Sequence, residues 1–127
     1  MKTGFNFKIA VLKTYLVTSQ YDIDKIPKLK GTYTMPEMNG ATAKACYIHN
    51  ATTGESAIVV CYPDMIKHEA IAVTSTLVHE ACHVWDFNKD HWGYGNDTEL
   101  HAYAVESIFN GLYEIYAKMY RRNLIED

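Results

Sequence analysis

Residues 66–87, IKHEAIAVTSTLVHEACHVWDF, run without proline or glycine, long enough for about six turns of helix. Wound at helical pitch, Ala70, Val73, Leu77, Ala81 and Val84 form an apolar stripe that can face a core. Ala72, Thr76, His79, His83 and Asp86 form the neighbouring stripe, small and polar. His79 and His83 thus lie one turn apart on a shared side, where both imidazoles can reach one ion.

Such a helix needs partners. Upstream, within residues 42–63, AKACYIHN and SAIVVCYP are rich in β-branched and aromatic residues and flank a Thr-Thr-Gly break, the pattern of a β-hairpin. A two-residue Thr53-Gly54 turn sets Cys46 opposite Cys61; a three-residue turn with Gly54 at its bulge shifts the register by one. Downstream, the loop NKDHWGYGND leads into a second long helix from Thr98 to Arg121, with Leu100, Ala104, Ile108, Leu112, Ile115 and Met119 at intervals of three and four. Residues 5–19 begin with strand-like alternation and end with helical spacing, and are read as a helix. Residues 20–40, with Pro27, Gly31, Pro36 and Gly40, read as an irregular connection of the kind that is functional or wraps a core.

At 127 residues and 48% apolar composition, the chain fits one domain spanning residues 1–127. Its net charge of −3, from 15 acidic and 12 basic side chains without long runs of one sign, lacks the basic stripe of a nucleic-acid binder. Lys8 and Lys13 interrupt the apolar N-terminus, a poor signal peptide, and no stretch approaches the roughly 20 apolar residues of a membrane span. Three sparse cysteines suit a reducing compartment, so a soluble cytoplasmic protein is expected. Cys46 and Cys61 read as small apolar strand residues, with a cross-strand disulfide as the alternative, and Cys82 reads as packing.

The chemistry rests on HEACH, residues 79–83. Glu80, immediately after the first histidine, points beside an ion held by His79 and His83, where its carboxylate can take a proton from water and pass it to a leaving amine. The bland alternative is a pair of solvated surface histidines beside a glutamate. Catalytic zinc takes three protein ligands and keeps a fourth position open, so one more ligand is needed. The candidates are His91, in the loop, and Glu99, His101 and Glu106, on the second helix. An antiparallel return brings Glu99 back toward the end of the first helix, although a capping box with Asn96 competes for its carboxylate unless Asp97 supplies the cap. Glu99, Tyr103, Glu106 and Asn110 mark a polar strip on that helix. For the donor that stabilises an oxyanion, Tyr103 is the first choice, with His101, Tyr94 and His91 behind it. Asp86 is placed to accept the far N–H of His83.

HEACHVWDF followed by ELHAYAVE resembles the gluzincin type of zincin metallopeptidase, in particular small bacterial and phage-borne zincin-like proteins. The likeness covers roughly residues 66–115. It implies Zn²⁺ held by His79, His83 and Glu99, with Glu80 as catalytic base. It also implies an α+β fold, a small antiparallel or mixed sheet packed on the HExxH helix with a second long C-terminal helix, and an edge strand that accepts an extended peptide. A metzincin site is excluded, because Asp86 and Lys89 stand where its glycine and third histidine belong. The expected function is zinc-dependent hydrolysis of peptide bonds in a peptide or protein substrate, without nucleic acid or membrane as partner. The alternatives are a zincin-fold metal-binding module that acts by protein–protein recognition without turnover, and a DNA-associated protease of the SprT-like type, which the acidic balance disfavours.

Overall fold

The computed structural model describes residues 4–5 and 12–126. The fold is α+β. Strand β2 (Lys13–Val17) runs parallel to β4 (Ser56–Cys61), β3 (Lys44–His49) pairs antiparallel with the other side of β4, and a two-residue β1 (Gly4–Phe5) lies antiparallel along β2. The order β1-β2-β4-β3 leaves β3 on an edge. A short helix α1 (Gln20–Asp24) follows β2, and two long helices, α2 (Ala70–Trp92) and α3 (Thr98–Glu126), follow the sheet.

The helical reading of residues 5–19 is corrected where they are described: residues 13–17 are a strand, and residues 6–11 lie outside the described residues. The reason is burial on both sides. Leu16 faces the helices, while Tyr15 and Val17 face the opposite layer. A strand covered on both faces reads as a continuous apolar run and loses its alternation. The opposite layer comes from residues 20–40, which wrap a core but are irregular only after the helix α1: the buried Ile23 of α1, Ile26 and Leu29 and the half-buried Tyr33 and Met35 cover Val59 and Cys61.

The hairpin forms, but neither proposed register holds. Cys46 pairs with Val59, and Cys61 with Lys44. The loop is longer than two or three residues because Asn50 organises it. Asn50 Oδ1 accepts from the backbone N–H of Thr52 at 2.9 Å and of Thr53 at 3.2 Å, and its carbonyl accepts from Gly54 N–H at 2.7 Å. Gly54 sits at φ 75°, which glycine adopts without a Cβ penalty. Both cysteines are free. Cys46 is held down to about 6, chiefly by hydrogen bonding with Cys61 and further by Tyr33 and Lys44, against the upward push of burial.

On the helical layer, Val73, Leu77, Ala81 and Val84 of α2 meet Ala104, Ile108, Leu112 and Ile115 of α3 and Ile58 and Val60 of the sheet in one core. The apolar stripes expected for the two helices are therefore buried, except that Leu100 and Met119 at the ends of the α3 stripe are half-buried and Ala70 is exposed. Helix α2 starts later than expected. Met65–Lys67 is a separate 3-10 turn, and His68, bonded through Nδ1 to the Tyr62 hydroxyl at 2.8 Å, is extended at ψ 153°. It also ends later, at Trp92, with Gly93 closing it in the left-handed region at φ 73°. The expected break at Asn88 does not occur, because that side chain is fully buried as a tie between layers. Its Oδ1 accepts from Leu12 N–H at 2.8 Å, and its Nδ2 donates to the Val84 carbonyl at 2.8 Å. No helix among the described residues is long and apolar enough to cross a membrane.

Candidate metal and catalytic site

Both histidines project from the middle of α2 on its solvent side, with their ring centroids 4.8 Å apart. Their Nε2 atoms converge to 3.2 Å. Two nitrogen ligands at the usual zinc distance of about 2.0–2.1 Å and a tetrahedral angle stand about 3.3 Å apart, so the pair fits one zinc ion through its Nε2 atoms. Ligation in that way leaves each histidine its proton on Nδ1. Asp86 is exposed and makes no hydrogen bond to His83 among the described residues.

Glu80 turns the other way around the helix, toward the sheet, and is 4% exposed. Its Oε2 is buried without a hydrogen-bond partner among the described residues. Burial raises the carboxyl above its ordinary value, while His83 and then His79 pull it partly back. The groove into which it opens measures about 420 Å³ and is walled by Ala41, Thr42 and Ala43, the segment leading into edge strand β3, and by Ser75, Thr76, His79 and Glu80 of α2. One imidazole and a proton-hungry carboxylate thus share a groove beside β3, an edge strand among the described residues.

Thr76 was visible in the sequence as a member of the histidine stripe. The 41–43 wall carried no local signal, because only the pairing of β3 with β4 brings it over α2.

Among the described residues, no third His, Cys, Asp or Glu completes a metal-holding group with the histidines. His91 belongs to α2, eight residues past His83, or about 12 Å along the helix at 1.5 Å per residue. It is also engaged, through Nδ1, with the Tyr47 hydroxyl at 3.1 Å. Glu99 is exposed in the first turn of α3. Its carboxylate is not held in a capping box: Asp97 Oδ1 accepts from Leu100 N–H at 2.9 Å and caps the helix, and Asn96 accepts from Lys89 Nζ at 2.9 Å.

The orientation of that first turn explains why Glu99 and the histidines are not brought together. His101 lies edge-on to Trp85, with centroids 6.4 Å apart. Two positions along a helix differ by about 200° in direction, so Trp85 points nearly opposite to His83. The start of α3 therefore docks over the far side of α2. Tyr103, 63% exposed, does not line the groove, and neither do Tyr94, His91 or His101. The side-chain hydroxyls on the groove wall belong to Thr42, Ser75 and Thr76, and that of Ser75 donates to the Ile71 carbonyl at 3.1 Å. Comparison of the chain with protein families, with curated proteins and with solved structures finds no match.

Proposed function

We propose that the protein is a zinc-dependent metallopeptidase, with His79 and His83 as ligands and Glu80 as general base. The observation that carries the reading is the 3.2 Å convergence of the two Nε2 atoms next to a buried carboxylate oxygen that has no partner. Zinc bound there would supply a Lewis acid that polarises the scissile carbonyl and acidifies water. Glu80 accepts the proton of the attacking water at its unpartnered oxygen, helped by a site that raises its proton affinity, and returns that proton to the departing amine. Thr42–Ala43 and the open edge of β3 orient an extended peptide by backbone pairing alongside the groove. Glu99 remains the third ligand that the resemblance proposes; because the start of α3 docks over the far side of α2, its exposed carboxylate would reach the ion only if that turn redocked.

The direct test is zinc content by elemental analysis after reconstitution, in wild type and in the His79→Ala, His83→Ala, Glu80→Gln and Glu99→Ala variants. One zinc per chain is expected in wild type and Glu80→Gln, with losses of about 10-fold or more in affinity for each histidine variant, at least the scale of a removed supporting contact. A similar loss in Glu99→Ala assigns the third ligand; full zinc in that variant moves it elsewhere. Wild type that takes up no zinc ends the enzyme reading.

A further inference from the structure

The sheet face opposite the histidines carries a second concavity. Residues 27–32, after α1, and the loop between β3 and β4 enclose a cleft of about 570 Å³, within the roughly 300–1,000 Å³ of small-molecule sites. Its floor is apolar, built by Tyr15, Leu29, Ile48 and Ala57. Among the described residues its rim carries Lys28 and Lys30, with Lys13 beside them, and one carboxylate, Glu55. Lysines thus outnumber carboxylates on this rim in a chain whose formal charge is −3.

The rim is also preset for hydrogen bonding. Asn50 uses its Oδ1 on the amides of Thr52 and Thr53, which fixes the side chain and leaves its Nδ2 hydrogens as donors. Thr53 Oγ1 accepts from Glu55 N–H at 3.3 Å, which leaves the hydroxyl hydrogen to donate. Across the mouth, Lys28 Nζ meets Glu55 Oε2 at 2.9 Å, with side chains 68% and 55% exposed. A bridge so solvated contributes little to stability, so an incoming anion can take the place of the glutamate.

We propose that this cleft binds a small phosphorylated molecule with a flat apolar body, of nucleoside-monophosphate size. The body lies on the Tyr15–Leu29–Ile48 floor, and the phosphate is held by the lysines as point charges, displacing Glu55. The site is independent of the histidines, since the whole sheet separates the two.

The test is an amide NMR titration of the full, chelator-treated chain with adenosine monophosphate, adenosine and inorganic phosphate at low salt. The nucleotide is expected to shift the amides of Thr32, Ile48, Thr53 and Ala57 and to leave those around His79 in place. A Lys28→Gln/Lys30→Gln double variant should bind it at least about 10-fold more weakly, roughly 1.4 kcal/mol, and Glu55→Gln should bind it more tightly. All three substitutions lie on the exposed rim, so the fold survives them. Adenosine binding as tightly as the nucleotide would remove the charged head from the proposal, and inorganic phosphate binding as tightly would remove the flat body. No shift at millimolar nucleotide, shifts centred on His79, or unchanged affinity in the lysine variant would overturn it.

Discussion

Glu80→Gln is expected to keep its zinc, lose roughly 10²–10⁴-fold in kcat on a fluorogenic peptide library, the usual contribution of a positioned base, and become more stable at neutral pH. The gain follows from linkage. Burial lifts the native carboxyl above its unfolded value, so the native chain holds this proton more tightly than the unfolded chain. The stability this confers is fully present below the unfolded pKa and is lost as pH rises through the native one. As the pH rises, the native state comes to carry a buried charge whose Oε2 has no partner among the described residues. Removing that charge should raise stability by about 1 kcal/mol, a rise in Tm on the order of 3–5 °C. Melts of chelator-treated protein at pH 7 and pH 4 check the sign, because the difference should vanish at the lower pH. A variant that sheds its zinc would make Glu80 a ligand, and one that keeps full turnover would remove it from the chemistry. A site residue whose loss stabilises the fold is the expected mark of strain kept for function.

Trp85→Ala is expected to cost about 3–5 kcal/mol, a large share of the roughly 5–15 kcal/mol that holds a domain of this kind. Trp85 is 1% exposed and stacks on Tyr94 at 5.5 Å between ring centroids. It pins the reversal between α2 and α3. Its indole Nε1 is buried without a partner among the described residues, which makes a second variant informative. Trp85→Phe keeps an aromatic ring in the stack and deletes the stranded N–H, so it should lose no more than about 1.5 kcal/mol. Urea unfolding of the two variants separates ring packing from polar cost, and equal losses would show that the stack with Tyr94 contributes nothing.

Where the two long helices lie was legible because each has one buried face, and a single buried face writes its period into the sequence; the hairpin, whose strand β4 is buried on both faces, was legible instead from β-branched and aromatic residues on either side of a turn signal. The stripe from Val73 to Val84 on α2 and that from Ala104 to Ile115 on α3 are such cases. Strand β2 was not legible, because it is covered on both sides and has no period to display. The hairpin register failed for a different reason: Asn50 folds the chain back through its own side chain, so the loop outlasts the Thr-Gly pair that marks it. Helix α2 overran its expected end because Asn88, a residue typical of loops, is consumed as a buried tie to Leu12.

The same division holds at the site. His79, His83 and Glu80 followed from spacing along one helix, where geometry is local. The place of Glu99 depends on which side of α2 receives the start of α3, and that is decided by the docking of Trp85 against Tyr94 and His101 rather than by any pattern around Glu99.

The parallel pairing of β2 with β4 also orders assembly in time. Its partners, such as Lys13 and Ala57, are 44 positions apart, whereas His49 and Ser56 at the mouth of the hairpin are separated by 7. Closing the longer loop costs about 1.6 kcal/mol more in chain entropy by the logarithmic law, and non-local closures of this kind slow folding. The β3–β4 hairpin and the α2–α3 pair can each form from neighbouring segments. The strand that enters the sheet next to β4 is then the late arrival, although it is made early, and the Leu12–Asn88 bond is the latch that registers its arrival. Pulse-labelled hydrogen exchange during refolding should protect the β4 amides that face β3 before those of residues 13–17; simultaneous protection would mean that the sheet condenses in one step.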